Sequence, residues 1–515
     1  MYKSVIKPKN IVKIVLALVV LLSFSMLIST TFSSYVHGSQ DETWAESTWP
    51  EQNWADEQAW PEQNWSDEQA WPEQNWADEQ VWSEQNWADE QAWPEQNWAD
   101  EQTWEELPHP EELWDNEVED VELINPIPIQ MGVEGNDYPI ILVNAFLFSW
   151  GRGELGGLHP WGGFSSIPDF LNEQGFTTLE TVIGPFSSNR HRAIELYYYI
   201  KGGTVDYGAY SAARDNHERF GRTFPGVYPE WDGTTRVHLV GFSMGGLTAR
   251  ELANLIAQGC QDEIAFHQQN PHLEISPLLA GETTGGIHSI TTIATPNNGM
   301  SFVENRNVLL PFARTALTAV AALSGVVPER TFFDFRLDQF GLSRNHGETF
   351  AAYADRVFSS SIWTTDNISI TDLRVNGVTA NAVNLQTRPD IYYFSHTGQT
   401  TRARGRLGEV PLLTTDPILI PSTLFTIAHR DMRTNPVIDR NWAASDGMVS
   451  TVSSLHPFGH PARPYDGNPV RGEWNVHPVM HGWDHSNLHG FGLFNGHDVN
   501  QFYIDIATSL RSLPR

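Results

Sequence analysis

Gly241-Phe242-Ser243-Met244-Gly245 sets one serine between two glycines, each two residues away. It follows the apolar run Val237-His238-Leu239-Val240. A helical pattern comes next, with Leu252, Leu255 and Ile256 on one face and a stop at Gly259. A strand, a sharp turn and a helix around Gly-x-Ser-x-Gly hold a serine hydroxyl on a strained bend, where it can act as a nucleophile. A side chain at either glycine would crowd the approaching helix or a substrate. The competing reading of such a pentapeptide is an ordinary tight turn.

A serine nucleophile needs a base, and the base needs a carboxylate to orient it. After a strand-to-helix serine turn, the acid and then the histidine are expected downstream. Asp446, in Ala444-Ser445-Asp446-Gly447-Met448-Val449, suits a loop after a strand. Spacing leaves the histidine open, because His477, His481, His485 and His489 recur every four residues. On a helix they would form a metal-binding stripe. Pro478, Gly482 and Gly490 favour a loop instead.

The elements that must position these groups lie between residues 126 and 515, after the link Asn125-Pro126-Ile127-Pro128. Strand candidates there are Pro139-Ile140-Ile141-Leu142-Val143, Ile290-Thr291-Thr292-Ile293-Ala294 and Ile391-Tyr392-Tyr393-Phe394. Near-continuous apolar runs alternating with helical patterns predict an α/β fold with a buried, mostly parallel central sheet flanked by helices.

The first 125 residues have a different character. Lys3, Lys7, Lys9 and Lys13 precede the uncharged stretch Ile14–Ile28, which predicts a signal peptide over residues 1–38 and a secreted protein. Retained, the same stretch would anchor the chain in a membrane. Cys260 is the single cysteine, so no intramolecular disulfide can form. Residues 39–125 carry an eleven-residue repeat, Trp-Pro-Glu-Gln-Asn-Trp-Ala-Asp-Glu-Gln-Ala. Of the chain's 63 acidic residues, 27 fall between 41 and 122, with no lysine or arginine among them, so most of the net charge of −32 is local. Pro50, Pro61, Pro72 and Pro94 interrupt any helix, and self-repulsion favours an extended or disordered tract. Such a tract serves as a spacer, or as a self-associating or cell-surface adhesive with tryptophan anchors. Its charge suits cationic partners and excludes nucleic acid.

Residues 134–515 resemble the secreted triacylglycerol lipases of the staphylococcal and thermoalkalophilic bacillus family. The likeness rests on Gly135-Asn136-Asp137-Tyr138-Pro139, Gly202-Gly203-Thr204-Val205-Asp206-Tyr207-Gly208 and Arg219-Phe220-Gly221-Arg222-Thr223-Phe224-Pro225-Gly226. Thr291-Thr292-Ile293-Ala294-Thr295-Pro296 and Asp334-Phe335-Arg336-Leu337-Asp338-Gln339 extend it. The resemblance implies an α/β-hydrolase fold with Ser243 as nucleophile, Asp446 as orienting acid and His485 as base. It puts the oxyanion donors at the backbone N–H groups of Phe146 and Met244. It also implies an inserted zinc subdomain, whose ligand positions fall at His191, Ser211, His217 and Asp372. One aspartate has become histidine and one histidine serine. Asp215 could replace the lost ligand, giving a zinc set of His191, Asp215, His217 and Asp372. Calcium is not expected, because Asn487 and Gly492 stand at the acidic ligand positions. Leu309–Val327 corresponds to a lid that swings open on lipid and exposes Leu310, Phe312, Leu317 and Val320; the other reading is a buried core helix.

Three departures stand out. Phe242 replaces a usual histidine, Met244 replaces the thermophilic members' glutamine, and Ala145 replaces a common glycine. The implied activity is triacylglycerol hydrolysis at a lipid–water interface. A phospholipase or broad esterase with the same triad is the alternative within enzymes. A surface-attached binding protein, led by its Trp-acid repeat, is the alternative outside them.

Overall fold

A computed structural model describes residues 135–146, 159–163, 165–304, 334–382, 385–405, 408–492 and 496–515. The signal segment, the acidic repeat and the Leu309–Val327 lid segment lie outside the described residues.

The apolar runs become seven strands of one sheet: β1 (Ile140–Val143), β2 (Thr178–Glu180), β3 (Arg236–Phe242), β4 (Gly286–Ile293), β5 (Tyr392–His396), β6 (Ala462–Pro464) and β7 (Trp474–Val476). Their order is β6-β7-β5-β4-β3-β1-β2, and every pairing is parallel. The serine strand β3 sits near the middle, with Val143 of β1 opposite Gly241 and Ile293 of β4 opposite Phe242.

Side chains alternate between the faces of a strand, so each run feeds two cores. Ile141, Val143, Leu239, Ile290, Tyr393 and Trp474 pack on one face with Ile194 and Ile200 of α2 (Asn189–Lys201) and Leu252 and Leu255 of α3 (Met244–Gln258). Ile140, Leu142, Val240, Phe242, Tyr392 and Phe394 face the other way. There they meet Ile167 and Leu171 of α1 (Ile167–Glu173) and Tyr503, Ile506 and Leu510 of α4 (Val499–Arg511). Burying each of these large side chains stabilises the fold by about 1.5–3 kcal/mol. A third apolar cluster, including Phe146, Met244, Phe302, Val303 and Val449, gathers residues of the β1 loop and the start of α3.

β4 starts four residues earlier than its apolar run, and the polar side chains there, His288 and Ser289, are both fully buried. His238 joins Ser289 Oγ at 2.7 Å through Nδ1 and Asn136 Oδ1 at 2.8 Å through Nε2. The helix after the serine ends at Gln258, and Gly259, at φ 66°, turns the chain away. Among the described residues no helix is long and apolar enough to cross a membrane.

Burial keeps several imidazoles neutral. It lowers His191, His238, His396 and His489 well below the ordinary range, and holds His288 and His477 at about 4. A histidine with a depressed folded pKa stabilises the fold fully above its unfolded value, near 6.5, and loses that contribution as pH falls toward the folded value. Thermal unfolding should therefore shift to lower temperature between about pH 6.5 and 4, each group adding up to about 1.4 kcal/mol per pH unit. A melting temperature flat across that window would contradict this accounting.

Candidate active site

Ser243 lies between β3 and α3 at φ 51°, ψ −123°, a conformation that costs a non-glycine residue about 1–3 kcal/mol. Surrounding contacts hold it there. Ser243 N–H donates to Ile293 O at 2.8 Å, and Gly246 N–H donates to Ser243 O at 3.1 Å. The flanking glycines are sites of close approach. A Cβ at Gly241 would lie 2.4 Å from Gly246 N, and one at Gly245 would lie 2.0 Å from Val143 O. The start of α3 thus presses directly on the loop that leaves β1.

That loop, Asn144-Ala145-Phe146, is pinned at its first residue. Asn144 Nδ2 donates to Thr181 O at 2.5 Å, and Asn144 N–H donates to Thr181 Oγ1 at 3.3 Å. Phe146 and Met244 are both buried in the third apolar cluster, and the Phe146 ring meets Phe186 edge-on at 5.3 Å.

Asp446 and His485, 39 residues apart in sequence, form a buried pair with His485 Nδ1 and Asp446 Oδ2 2.8 Å apart. The other carboxylate oxygen accepts from Met448 N–H at 2.9 Å and Val449 N–H at 2.7 Å. An ionised carboxylate fixed this way accepts a hydrogen bond from Nδ1–H and leaves Nε2 with its lone pair free, the tautomer a general base needs. His485 N–H also donates to Asp446 O at 2.8 Å.

The acid's loop differs from expectation: it follows a 3₁₀ turn, Arg440–Trp442, and no strand leads into it. The segment after β5 anchors it instead. Thr400 N–H donates to Ser445 O at 2.8 Å, and Ser445 N–H donates to Thr401 Oγ1 at 3.1 Å. These two long-range bonds substitute for a strand end.

Of the four spaced histidines, His485 opens a short helix, His485–Leu488, and His489 follows it. Asp484 caps that helix through Asn487 N–H at 2.8 Å, and its other oxygen accepts from Asp416 N–H at 2.8 Å. Burial raises the Asp484 carboxyl above its ordinary range. Phe242, the residue before the serine, meets the His485 ring at 4.8 Å and stacks on His489 at 4.3 Å. Trp161 lies 4.8 Å from the His489 ring, and Phe491 stacks on it at 5.5 Å. The departure at Phe242 thus supplies an apolar shelf that links the serine turn to the base. Sequence reasoning missed this shelf, since nothing local pairs residue 242 with 485 or 489. Asp484 carried a readable signal, an aspartate three residues before Asn487 at a helix start.

The residues of the expected zinc set are engaged with other partners. Among the described residues no three histidine, cysteine, aspartate or glutamate side chains converge to hold an ion. His191 and His217 do approach, with ring centroids 4.9 Å apart, but hydrogen-bond donors face both Nε2 atoms. Ser211 Oγ lies 3.1 Å from His217 Nε2, whose ring turns Nδ1 to Glu218 O at 2.8 Å. Asn367 Nδ2 reaches His191 Nε2 at 3.1 Å and Asp215 Oδ2 at 2.8 Å. Arg214 pairs with Asp215 at 2.6 Å, and Asp372 accepts from Asn189 N–H at 2.5 Å. The hydroxyl at position 211 and the amide at 367 use the lone pairs a zinc ion would need. Zinc on His191, Asp215, His217 and Asp372 would require Ser211 and Asn367 to give up these hydrogen bonds. Chelation is expected to leave the melting temperature unchanged, whereas a fall reversed by added zinc would contradict this geometry. A Cβ on Gly492 would lie 2.2 Å from Asn487 Oδ1, so the Asn487 side chain packs directly against that glycine.

A buried parallel sheet with a strained serine at the end of a central strand, and a carboxylate–histidine pair reached through its neighbour, defines an α/β protein with its site at the strand ends. Residues 136–512 match the family described as "Lipase-like, C-terminal domain", and the chain belongs to that family. It is 36% identical over 407 residues to Lipase 2 of Staphylococcus aureus, a match covering 77% of this chain and 57% of that protein. The chain thus spans just over half the length of that relative. In structure it resembles EstA from Clostridium botulinum, at 34% identity and a TM-score of 0.68, over 76% of this chain and 93% of the other. The Staphylococcus hyicus lipase is similar at 32% identity and a TM-score of 0.62, over 73% and 96%.

Proposed function

We propose that this chain is an exported serine carboxylester hydrolase, a lipase with an α/β-hydrolase fold that works through Ser243, His485 and Asp446. The observation that carries the reading is the Asp446–His485 pair at 2.8 Å, set against Phe242 beside the positive-φ Ser243. In the reaction, His485 Nε2 takes the Ser243 proton as Oγ attacks the ester carbonyl, and Asp446 stabilises the imidazolium. The N–H groups of Phe146 and Met244 receive the oxyanion. The histidine then protonates the leaving alcohol, and water, deprotonated by the same base, releases the acid from the acyl-enzyme.

A long acyl chain is the substrate that the apolar lining favours. Phe302, in the cluster holding Phe146 and Met244, packs edge-on at 5.8 Å with Phe425. Leu424, the next residue on the apolar helix Ile420–Ala428, is 51% exposed, and Met432 is 75% exposed. These side chains suit contact with a lipid surface, as does a lid over residues 309–327. Names among the relatives point the same way, since both staphylococcal proteins are called lipases. The basic, apolar N-terminal segment supports export, and the Trp-acid repeat supports attachment or self-association. Hydrolysis of triglyceride emulsions should rise with acyl length and exceed that of soluble short esters. A preference for soluble short esters would favour the broad-esterase reading.

A further inference from the structure

Arg192, on α2, is fully buried. A buried guanidinium destabilises a fold unless its donors find acceptors. Three segments supply them. Nε donates to Thr248 Oγ1 at 3.0 Å, Nη1 to Gly184 O at 2.5 Å, and Nη2 to Asn144 O. Burial lowers the guanidinium pKa to about 10, so it stays cationic at neutral pH. Glu195, which accepts from Gly184 N–H at 2.7 Å and Tyr207 OH at 3.0 Å, favours that charge.

Two of the three acceptors belong to the segments bearing the proposed oxyanion donors. Asn144 lies two residues before Phe146. Thr248 lies one turn into the helix that starts at Met244, and its hydroxyl is 3.2 Å from Met244 O. The contact of a Gly245 Cβ position with Val143 O leaves no slack between these segments. A planar fork can hold a carbonyl and a hydroxyl at fixed angles, which the point charge of a lysine cannot reproduce.

We infer that Arg192 is a positioning residue for the oxyanion hole, setting the Phe146 and Met244 N–H groups relative to each other. This inference rests on Ser243 being the nucleophile. Its effect falls on the transition state, because the donors must meet the oxyanion and not the ground-state carbonyl.

The test uses the full chain and p-nitrophenyl butyrate, with active sites counted by exhaustive phosphonate labelling. Arg192→Met should lower kcat per labelled site about 100-fold at unchanged KM. Affinity for an alkyl boronic acid, whose tetrahedral adduct places an oxygen in the same hole, should fall in parallel. Thr248→Val and Arg192→Lys should show smaller losses of the same kind, and they decide the matter where Arg192→Met does not fold. Variants that melt earlier but keep wild-type kcat and boronate affinity would overturn the inference. Ser243→Ala is measured alongside. Full activity in that variant would remove the serine reading itself, whereas an inactive Ser243→Ala beside fully active Arg192 variants would remove only the positioning role.

Discussion

Ester hydrolysis by the Ser243→Ala variant is expected to fall by about 10⁵–10⁶-fold, to the residue of catalysis that binding and the oxyanion donors provide alone. The substitution removes one oxygen and keeps Cβ, so the strain at φ 51° is the same before and after. Its backbone bonds to Ile293 O and Gly246 N–H do not involve the side chain. Stability should therefore change by no more than about 0.5 kcal/mol. Initial rates on p-nitrophenyl esters, read beside thermal melts, separate the two effects. A variant that loses activity only in proportion to lost folded protein would count against a chemical role for the hydroxyl.

Asp446→Asn is expected to lower kcat by about 10⁴-fold while the fold stands. The asparagine oxygen can keep the bonds from Met448 and Val449 N–H, at 2.9 Å and 2.7 Å. Its amide nitrogen then faces His485 Nδ1, where the carboxylate had been 2.8 Å away. Two donors cannot share that contact, so the imidazole moves its proton to Nε2. From there it cannot accept the proton of Ser243. The variant should retain KM and phosphonate binding pocket geometry while turnover collapses. Wild-type turnover would mean that another carboxylate orients the base. Asp484 is the neighbour to examine first, although its oxygens are engaged by Asp416 and Asn487 N–H.

The central sheet was legible because buried parallel strands read as apolar runs, and β1, β3, β4 and β5 all overlap the expected segments to within one residue at an end. What blurred their ends was buried polarity, as at His288 and Ser289, which propensity assigns to the surface. The serine turn was legible for a stronger reason: close approach of backbones excludes a side chain at Gly241 and Gly245. The base was not separable from its neighbours by spacing, since the feature that singles out His485 is a bond to a residue 39 positions away. The His191–His217 cluster shows a different limit of residue type. Residue types suited to zinc stand close together, yet Ser211 and Asn367, which carry no metal signature, occupy the lone pairs. Arg192 carries no signal in its local sequence, and only packing reveals its three acceptors.

The most direct measurement is mass spectrometry of the chain after complete inactivation by a p-nitrophenyl alkylphosphonate. One phosphonyl group per chain, on the peptide containing Ser243, with activity lost in step with labelling, is the expected result. Full inactivation with the label on another residue, or a labelled Ser243 in a chain that still hydrolyses esters, would contradict the account.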